Sequence, residues 1–137
     1  MNPTAFALAG FIAWFMLILF LLAGVRVTAG LRGKPANSFK PDGSDVSDFS
    51  VRVVRTHANC YESFPFIGGL LALSLATQST DITNPLAMTL LAARVAQSSI
   101  HLASVSVLAV QIRFALFLVQ IGIATYWALA FLQKFAG

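Results

Sequence analysis

The chain has 137 residues, of which 58% are hydrophobic and 10% are charged. A soluble domain of this size carries roughly 25% charged residues, so the composition excludes an ordinary soluble protein and predicts a single integral membrane domain over residues 1–137. The net charge is +4. The chain has no run of basic residues interleaved with aromatic residues, so nucleic-acid binding is disfavoured. The positive charge is instead informative about the orientation of the protein in the membrane. The single cysteine, Cys60, excludes an internal disulfide and a zinc cluster.

The first predicted element is an apolar helix near the start of the chain. Residues 5–25 contain no charged side chain, and at 1.5 Å per residue they are long enough to cross a bilayer core of ~30 Å. No basic residue precedes this stretch, which favours a membrane-spanning helix at about residues 5–28 over a cleaved signal peptide. Residues 30–50, rich in Gly, Pro, Ser and Asp, then form a polar loop.

The second predicted helix begins at the end of that loop and covers about residues 47–77. The sequence SDVSD supplies several N-caps between Asp45 and Asp48. The first turns of this helix are amphipathic, and its second half is apolar enough to lie in the membrane. Pro65 removes one backbone hydrogen bond inside the helix, so we expect a kink there, which membrane helices tolerate.

Two further spans are predicted in the remaining apolar part of the chain. Asn84 as N-cap and Pro85 in the first helical position predict a third helix at about residues 84–104. The apolar stretch is too long for one span, so we expect a tight turn near Ser104–Ser106 and a fourth helix at about residues 107–133. The predicted fold is therefore all-α, an integral membrane bundle of four transmembrane helices.

The distribution of basic residues predicts the orientation of the bundle. Positive charge concentrates in the first loop and its flanks, at Arg26, Arg32, Lys34, Lys40, Arg52 and Arg55. Nothing basic precedes the first helix, and the second loop carries only Asp81. Because cytoplasmic loops retain Lys and Arg, we expect a multi-pass protein whose first loop faces the cytoplasm and whose termini face away from it.

Polar side chains form stripes on three of the predicted helices. Successive residues of a helix advance by about 100°, so side chains three or four residues apart share a face. The stripe of the second helix contains Arg52, Arg55, Asn59 and Glu62. The stripe of the third helix contains Arg94, Gln97 and His101. On the fourth helix, Arg113 lies on the same side as Phe117 and Gln120.

Two interpretations of these stripes are open. Charged groups at membrane depth cost several kcal/mol unless they are paired, so Glu62 could bind Arg94 or Arg55 and join two helices. The charge count favours a ligand instead, since one glutamate cannot neutralise the arginines of the stripes, which are Arg52, Arg55, Arg94 and Arg113. An anionic ligand would neutralise this excess.

Other residues favour structural roles. Cys60 has no partner base at a defined spacing, so we expect it to be a packing residue. Trp14, Tyr126 and Trp127 are expected to face lipid or the membrane interface. For His101, a ligand contact and a buried hydrogen bond are both open.

The sequence RTHANCYESFPF resembles the signature of the MAPEG family, the membrane-associated proteins in eicosanoid and glutathione metabolism. The family pattern Arg-x-x-x-Asn-x-x-Glu-x-x-Pro is matched by Arg55, Asn59, Glu62 and Pro65. A second block, ARVAQSSIHL, resembles the third helix of the family through Arg94, and VQIRFALF resembles the start of its fourth helix through Arg113. The resemblance covers nearly the whole chain.

The resemblance implies a homotrimer that binds glutathione as co-substrate between subunits near the cytoplasmic face. Arg55, Asn59 and Glu62 would contact glutathione, Arg113 would activate its thiol, and Arg26 loosely matches the basic residue that closes the first helix of the family. The implied function is a membrane-embedded glutathione transferase or peroxidase that acts on a lipophilic electrophile or hydroperoxide from the bilayer. The alternative is a non-catalytic four-helix membrane protein that binds an anionic lipid or acts as a small transporter.

The chain also departs from the family pattern on the third helix. Gln97 and His101 stand where several relatives have histidine and tyrosine, so the phenolic contacts to glutathione are missing here. Phe114 follows Arg113, where a serine assists in some relatives. The ligand could therefore be glutathione, another anionic thiol or a fatty acid.

Overall fold

A computed structural model describes all 137 residues and contains four α-helices and no strand. The helices are α1 (Pro3–Leu31), α2 (Asp48–Ala76), α3 (Thr80–Ala103) and α4 (Val107–Ala136). The all-helical, four-helix architecture is as the sequence predicts. Short turns at residues 77–79 and 104–106 make α2 and α3, and then α3 and α4, antiparallel neighbours.

Serine side chains begin two of the helices. Ser47 accepts a hydrogen bond from the backbone N–H of Ser50 at the start of α2, at 3.0 Å. Ser106 accepts one from the backbone N–H of Ala109 at the start of α4, at 3.2 Å. Each bond satisfies one of the N–H groups that the first turn of a helix leaves without a partner. The polar residues at these positions therefore fix where the loops end.

The predicted start of the third helix was wrong. The helix α3 begins at Thr80, so Asn84 is not its N-cap and Pro85 lies inside the helix. The Oδ1 atom of Asn84 instead accepts hydrogen bonds from the backbone N–H and the hydroxyl of Thr4, at 3.1 and 2.7 Å. Because this contact comes from a residue about eighty positions away, the local sequence contained no sign of it.

Buried hydroxyl groups hold the starts of α1 and α3 against the end of α2. The Thr83 hydroxyl lies 2.6 Å from the Thr4 hydroxyl and 2.6 Å from the Ser74 hydroxyl. All three side chains are fully buried. These hydrogen bonds hold the first turn of α3, ahead of Pro85, against α1 and α2.

The core is apolar and runs through the middle of the bundle. The helix α1 packs against α2 and α3, α4 packs mainly against α3, and α1 and α4 are not direct neighbours. Trp127 is fully buried in this core together with Phe11 and Leu90. The prediction that Trp127 faces lipid or the interface was therefore wrong, whereas Tyr126 is exposed.

The outer surface of the bundle is largely apolar. Two helices, Pro3–Leu31 and Val107–Ala136, are long and apolar enough to cross a membrane. Large apolar side chains are exposed along both, including Phe20 on α1 and Leu118 on α4. An aqueous surface rarely carries this much contiguous apolar area, so this exterior fits a bilayer.

The polar loop between α1 and α2 folds back on the start of α2. Lys34 and Asp45 form an ion pair with 2.8 Å between Nζ and Oδ2, and the hydrogen bond from Lys34 lowers the pKa of Asp45. Gly43 has a φ of +73° and is buried, with no room for a Cβ beside Ser50. Glycine is required there because both the backbone conformation and the space exclude a side chain.

Candidate functional site

A polar cleft of about 290 Å³ lies between α2, α3 and α4. It is lined by Asn59, Gln97, His101, Val110, Arg113, Phe114 and Phe117. Each of the three polar stripes of the sequence contributes at least one side chain to it. The apolar wall comes from α4, which is also one of the two apolar helices. The cleft therefore joins polar groups to the apolar exterior.

Arg113 places a positive charge in this cleft from the second turn of α4. Its Nε atom is buried and has no hydrogen-bond partner within the chain. The two ion pairs of the chain are elsewhere, between Lys34 and Asp45 and between Lys134 and Asp81. An acceptor or anion in the cleft would therefore neutralise a charge that the protein itself leaves unpaired.

Arg94 lies behind the cleft wall and is fully buried. Its Nη1 atom donates to Oδ1 of Asn59 at 2.6 Å, and its guanidinium stacks over the ring of Phe11 at 5.3 Å. The Nε and Nη2 atoms have no partner. Because a guanidinium has only donors, it must face the amide oxygen of Asn59, and this leaves the NH₂ group of Asn59 available to the cleft.

A second buried contact supports Gln97 from the side of α4. The Nε2 atom of Gln120 donates to Oε1 of Gln97 at 2.8 Å and to the backbone carbonyl of Leu116 at 3.0 Å. Gln120 is fully buried and Gln97 is nearly so. The sequence placed Gln120 on the side of Arg113 but gave no sign of this contact. The only feature of the sequence that could have indicated this contact is the presence of a polar amide, Gln120, in an otherwise apolar part of the fourth helix.

Glu62 and Arg55 are not brought into the cleft within one chain. Both side chains are exposed on α2, and neither forms an ion pair. The interpretation that Glu62 pairs with Arg94 or Arg55 was therefore wrong for the single chain, because Arg94 is turned inward toward Asn59.

The remaining predicted site residues lie at the edges of the bundle. The Nε atom of Arg52 donates to the backbone carbonyl of Leu102 at 2.8 Å, so it satisfies one of the open carbonyl groups at the end of α3. Arg26 is exposed near the end of α1 and does not line the cleft. Cys60 is fully buried with its sulfur 3.6 Å from the Ser98 hydroxyl, which is the packing role expected of it.

A larger cavity of about 630 Å³ lies between the end of α1 and the polar loop. Its charged lining residues are Arg32, Lys34 and Asp45, of which the last two pair with each other. None of the candidate site residues predicted from the sequence lines this larger cavity. The chemistry of the smaller cleft is more specific, since it gathers side chains from three separate helices.

The arrangement of the cleft suits a ligand that accepts hydrogen bonds. Asn59 can offer its NH₂ group there, and Arg113 offers its guanidinium. No carboxylate lines the cleft. Among its lining side chains, His101 has the only ring nitrogens that could accept a hydrogen bond from a ligand. Amide and guanidinium donors without a matching anion are the groups that bind carboxylates and thiolates.

Comparison with known proteins gives one match. The MAPEG family matches residues 4–133 of the chain, which is nearly its whole length. Searches of curated proteins and of solved structures returned no match for this chain. The residues of the polar cleft and nearly all of the four helices lie within the matched range. The chain therefore belongs to the MAPEG family of membrane proteins, which includes glutathione transferases and related enzymes.

Proposed function

We propose that the protein is a membrane-embedded, glutathione-dependent enzyme that conjugates or reduces lipophilic electrophiles. The observation that carries this proposal is the polar cleft, where donors from three helices meet without a carboxylate among the lining residues. The buried Nε atom of Arg113, which has no partner in the chain, adds to the demand for an anion in the cleft. Glutathione has two carboxylates and a thiol that can ionise, so it matches these donors.

The chemistry of the reaction would depend on Arg113. A guanidinium beside the thiol of glutathione favours the thiolate and therefore lowers the pKa of that thiol. The thiolate sulfur would then form a bond to the electrophilic atom, and the electron pair of the bond that breaks would leave with the departing group. Phe114 and Phe117 line the same cleft and would receive the apolar part of the electrophile. A water-soluble and a lipid-soluble substrate could thus meet at one place.

Assembly would complete the site. Arg55 and Glu62 belong to the stripe of Asn59, yet they are exposed and unpaired in the single chain. A neighbouring subunit that covers this side of α2 would enclose them beside the cleft, with Glu62 facing the ammonium of glutathione. We therefore propose a homotrimer in which each glutathione contacts two subunits.

We also propose that all four helices are embedded in the membrane, with the first loop in the cytoplasm. The helices α2 and α3 run alongside α1 and α4, which are the more apolar pair. The basic residues of the first loop and the Lys134–Asp81 pair lie at opposite ends of the bundle. The basic end would face the cytoplasm, so the water-soluble substrate would enter from there.

The alternative is that the same cleft binds an anionic lipid without catalysis, or serves a small transporter. The presence of Gln97 and His101, where the family resemblance leads us to expect histidine and tyrosine, favours this alternative, since the donors that remain do not distinguish glutathione from other anions. The absence of any reaction with bound glutathione would support it.

The experiment that tests the proposal is binding of labelled glutathione to the protein in mild detergent. We expect saturable binding that unlabelled glutathione displaces. Arg55→Ala and Glu62→Gln should each weaken it by a few kcal/mol, the range for a lost charge-assisted contact. Arg32→Ala is the matched control, because Arg32 is exposed and lies outside the cleft. If the wild type did not bind glutathione, or if Arg32→Ala had the same effect, the proposal would be wrong.

A further inference from the structure

The orientation of the Gln120 amide is fixed by its surroundings in α4. Its Nε2 atom lies 3.0 Å from the backbone carbonyl of Leu116 and 2.8 Å from Oε1 of Gln97. If this amide were turned over, its own oxygen would face the Leu116 carbonyl, and two acceptors would meet in a buried place. Such a contact loses a hydrogen bond that the buried carbonyl and amide need. Gln120 must therefore present its NH₂ group to Gln97.

The orientation of Gln97 follows from that of Gln120. Only the oxygen of the Gln97 amide can accept from Gln120, so the NH₂ group of Gln97 points away from α4. Gln97 makes no other side-chain hydrogen bond within the chain and lines the polar cleft. Its NH₂ group is therefore free to donate to a ligand there. Gln120 itself does not line the cleft.

We propose that Gln120 is a positioning residue that holds Gln97 as a hydrogen-bond donor, so that the part of the α3 wall formed by Gln97 favours an anionic or acceptor group. On the α2 wall, Arg94 donates to the amide oxygen of Asn59, so the NH₂ group of Asn59 also faces the cleft as a donor. A ligand carboxylate or thiolate fits such a wall, and an ammonium or a neutral donor does not. The identification of the ligand as glutathione rests on the proposed function. The orientation of the Gln97 amide does not depend on which anion binds.

The first test replaces Gln120 by Met, which has a similar shape and no hydrogen bonds. The Oε1 atom of Gln120 is buried without a partner, but the Gln120→Met variant also loses the hydrogen bond to Oε1 of Gln97. The melting temperature should therefore fall by a few degrees at most, with the four-helix fold retained. Glutathione affinity should fall by about fivefold, since Gln97 is no longer held in one orientation. In a Gln97→Ala background the same Gln120→Met change should have an effect of less than about twofold. Gln133→Met, at the exposed end of α4, is the matched control.

The second test reverses the polarity of the wall with Gln97→Glu. The carboxylate can still accept from Gln120, but it presents an oxygen to the cleft in place of the NH₂ group. Glutathione affinity should fall by about tenfold or more. Bromide is the second probe: crystals of the wild type soaked in bromide should show anomalous scattering beside the Gln97 amide, and crystals of Gln97→Glu should not.

The outcomes separate this inference from the proposed function. If glutathione does not bind but bromide occupies the Gln97 wall, the proposed function is wrong and the positioning role stands. If glutathione binds and Gln97→Glu binds it equally well, the positioning role is wrong. An equal effect of Gln120→Met in both backgrounds would also overturn it, because a purely structural role does not require Gln97.

Discussion

Replacement of Arg113 by Ala separates activation of the thiol from binding of the tripeptide. Arg113 lines the polar cleft and its Nε atom is buried without a partner, so no protein group competes with a ligand for it. A hydrogen bond to a charged group contributes about 1.5–3 kcal/mol, and one pKa unit corresponds to about 1.36 kcal/mol. The loss of Arg113 should therefore raise the pKa of the bound thiol by about one to two units.

The sign of this shift determines the assay. A cation stabilises the thiolate, so the wild type should ionise bound glutathione at a lower pH than the free thiol, and Arg113→Ala should move the ionisation to higher pH. At a pH below both pKa values, the thiolate fraction should then fall by about tenfold for each unit of the shift. The measurement is the ultraviolet absorbance of the thiolate as pH is raised with saturating glutathione, beside steady-state turnover of a test electrophile.

Two further variants sharpen this test. Arg113→Lys keeps the positive charge but loses the planar fork of donors, so it should be intermediate in both the thiol pKa and the turnover. Arg32→Ala removes an equal charge outside the cleft and should leave both at the wild-type values. The reasoning is refuted if Arg113→Ala changes neither quantity, or if the wild type shows no thiolate when glutathione is saturating.

The remaining predictions concern assembly, packing and orientation. We expect a trimer in mild detergent by light scattering, and a monodisperse monomer that still binds glutathione would contradict the shared site. Gly43→Ala should reduce the free energy of unfolding by about 1 kcal/mol or more, because Gly43 has a φ of +73° and a Cβ there would lie 3.1 Å from the backbone of Ser50. Gly122→Ala, with nothing within 4 Å, should be neutral or stabilising. A cysteine in place of Asn37 should react with a membrane-impermeant maleimide only after the cells are permeabilised. Labelling of this cysteine in intact cells would show that the first loop faces outward and would contradict the predicted topology. The native Cys60 is fully buried and should stay unlabelled.

Helix number and type follow from short-range features of the sequence. A charge-free run as long as residues 5–25 has few alternatives to a helix, because its backbone groups must find partners within the segment when it lies in lipid. The serine N-caps and the break at Ser104–Ser106 are likewise local signals, and the structure places helix boundaries beside them. The side chains three or four positions apart on α2 and α3 share a face for the same reason, since the helix period is fixed.

The start of α3 shows where local signals fail. Asn84 followed by Pro85 is a good N-cap pattern, yet α3 begins about one turn earlier, at Thr80. Hydroxyl groups of Thr4 and Ser74 hold Thr83 in that first turn. Those hydroxyl groups come from two other helices. Their contribution depends on which helices are neighbours, and the sequence around Asn84 does not contain that information.

The sequence by itself determined four helices and the stripes of polar residues that they carry. Only the tertiary structure decided how those residues pair: Arg94 with Asn59, Gln97 with Gln120, and Glu62 with no group of its own chain. The physical reason is that helix period and hydropathy act over a few residues, whereas the direction of a buried hydrogen bond depends on the donor or acceptor that a neighbouring helix presents. The donor character of the polar cleft is therefore a property of the packed bundle.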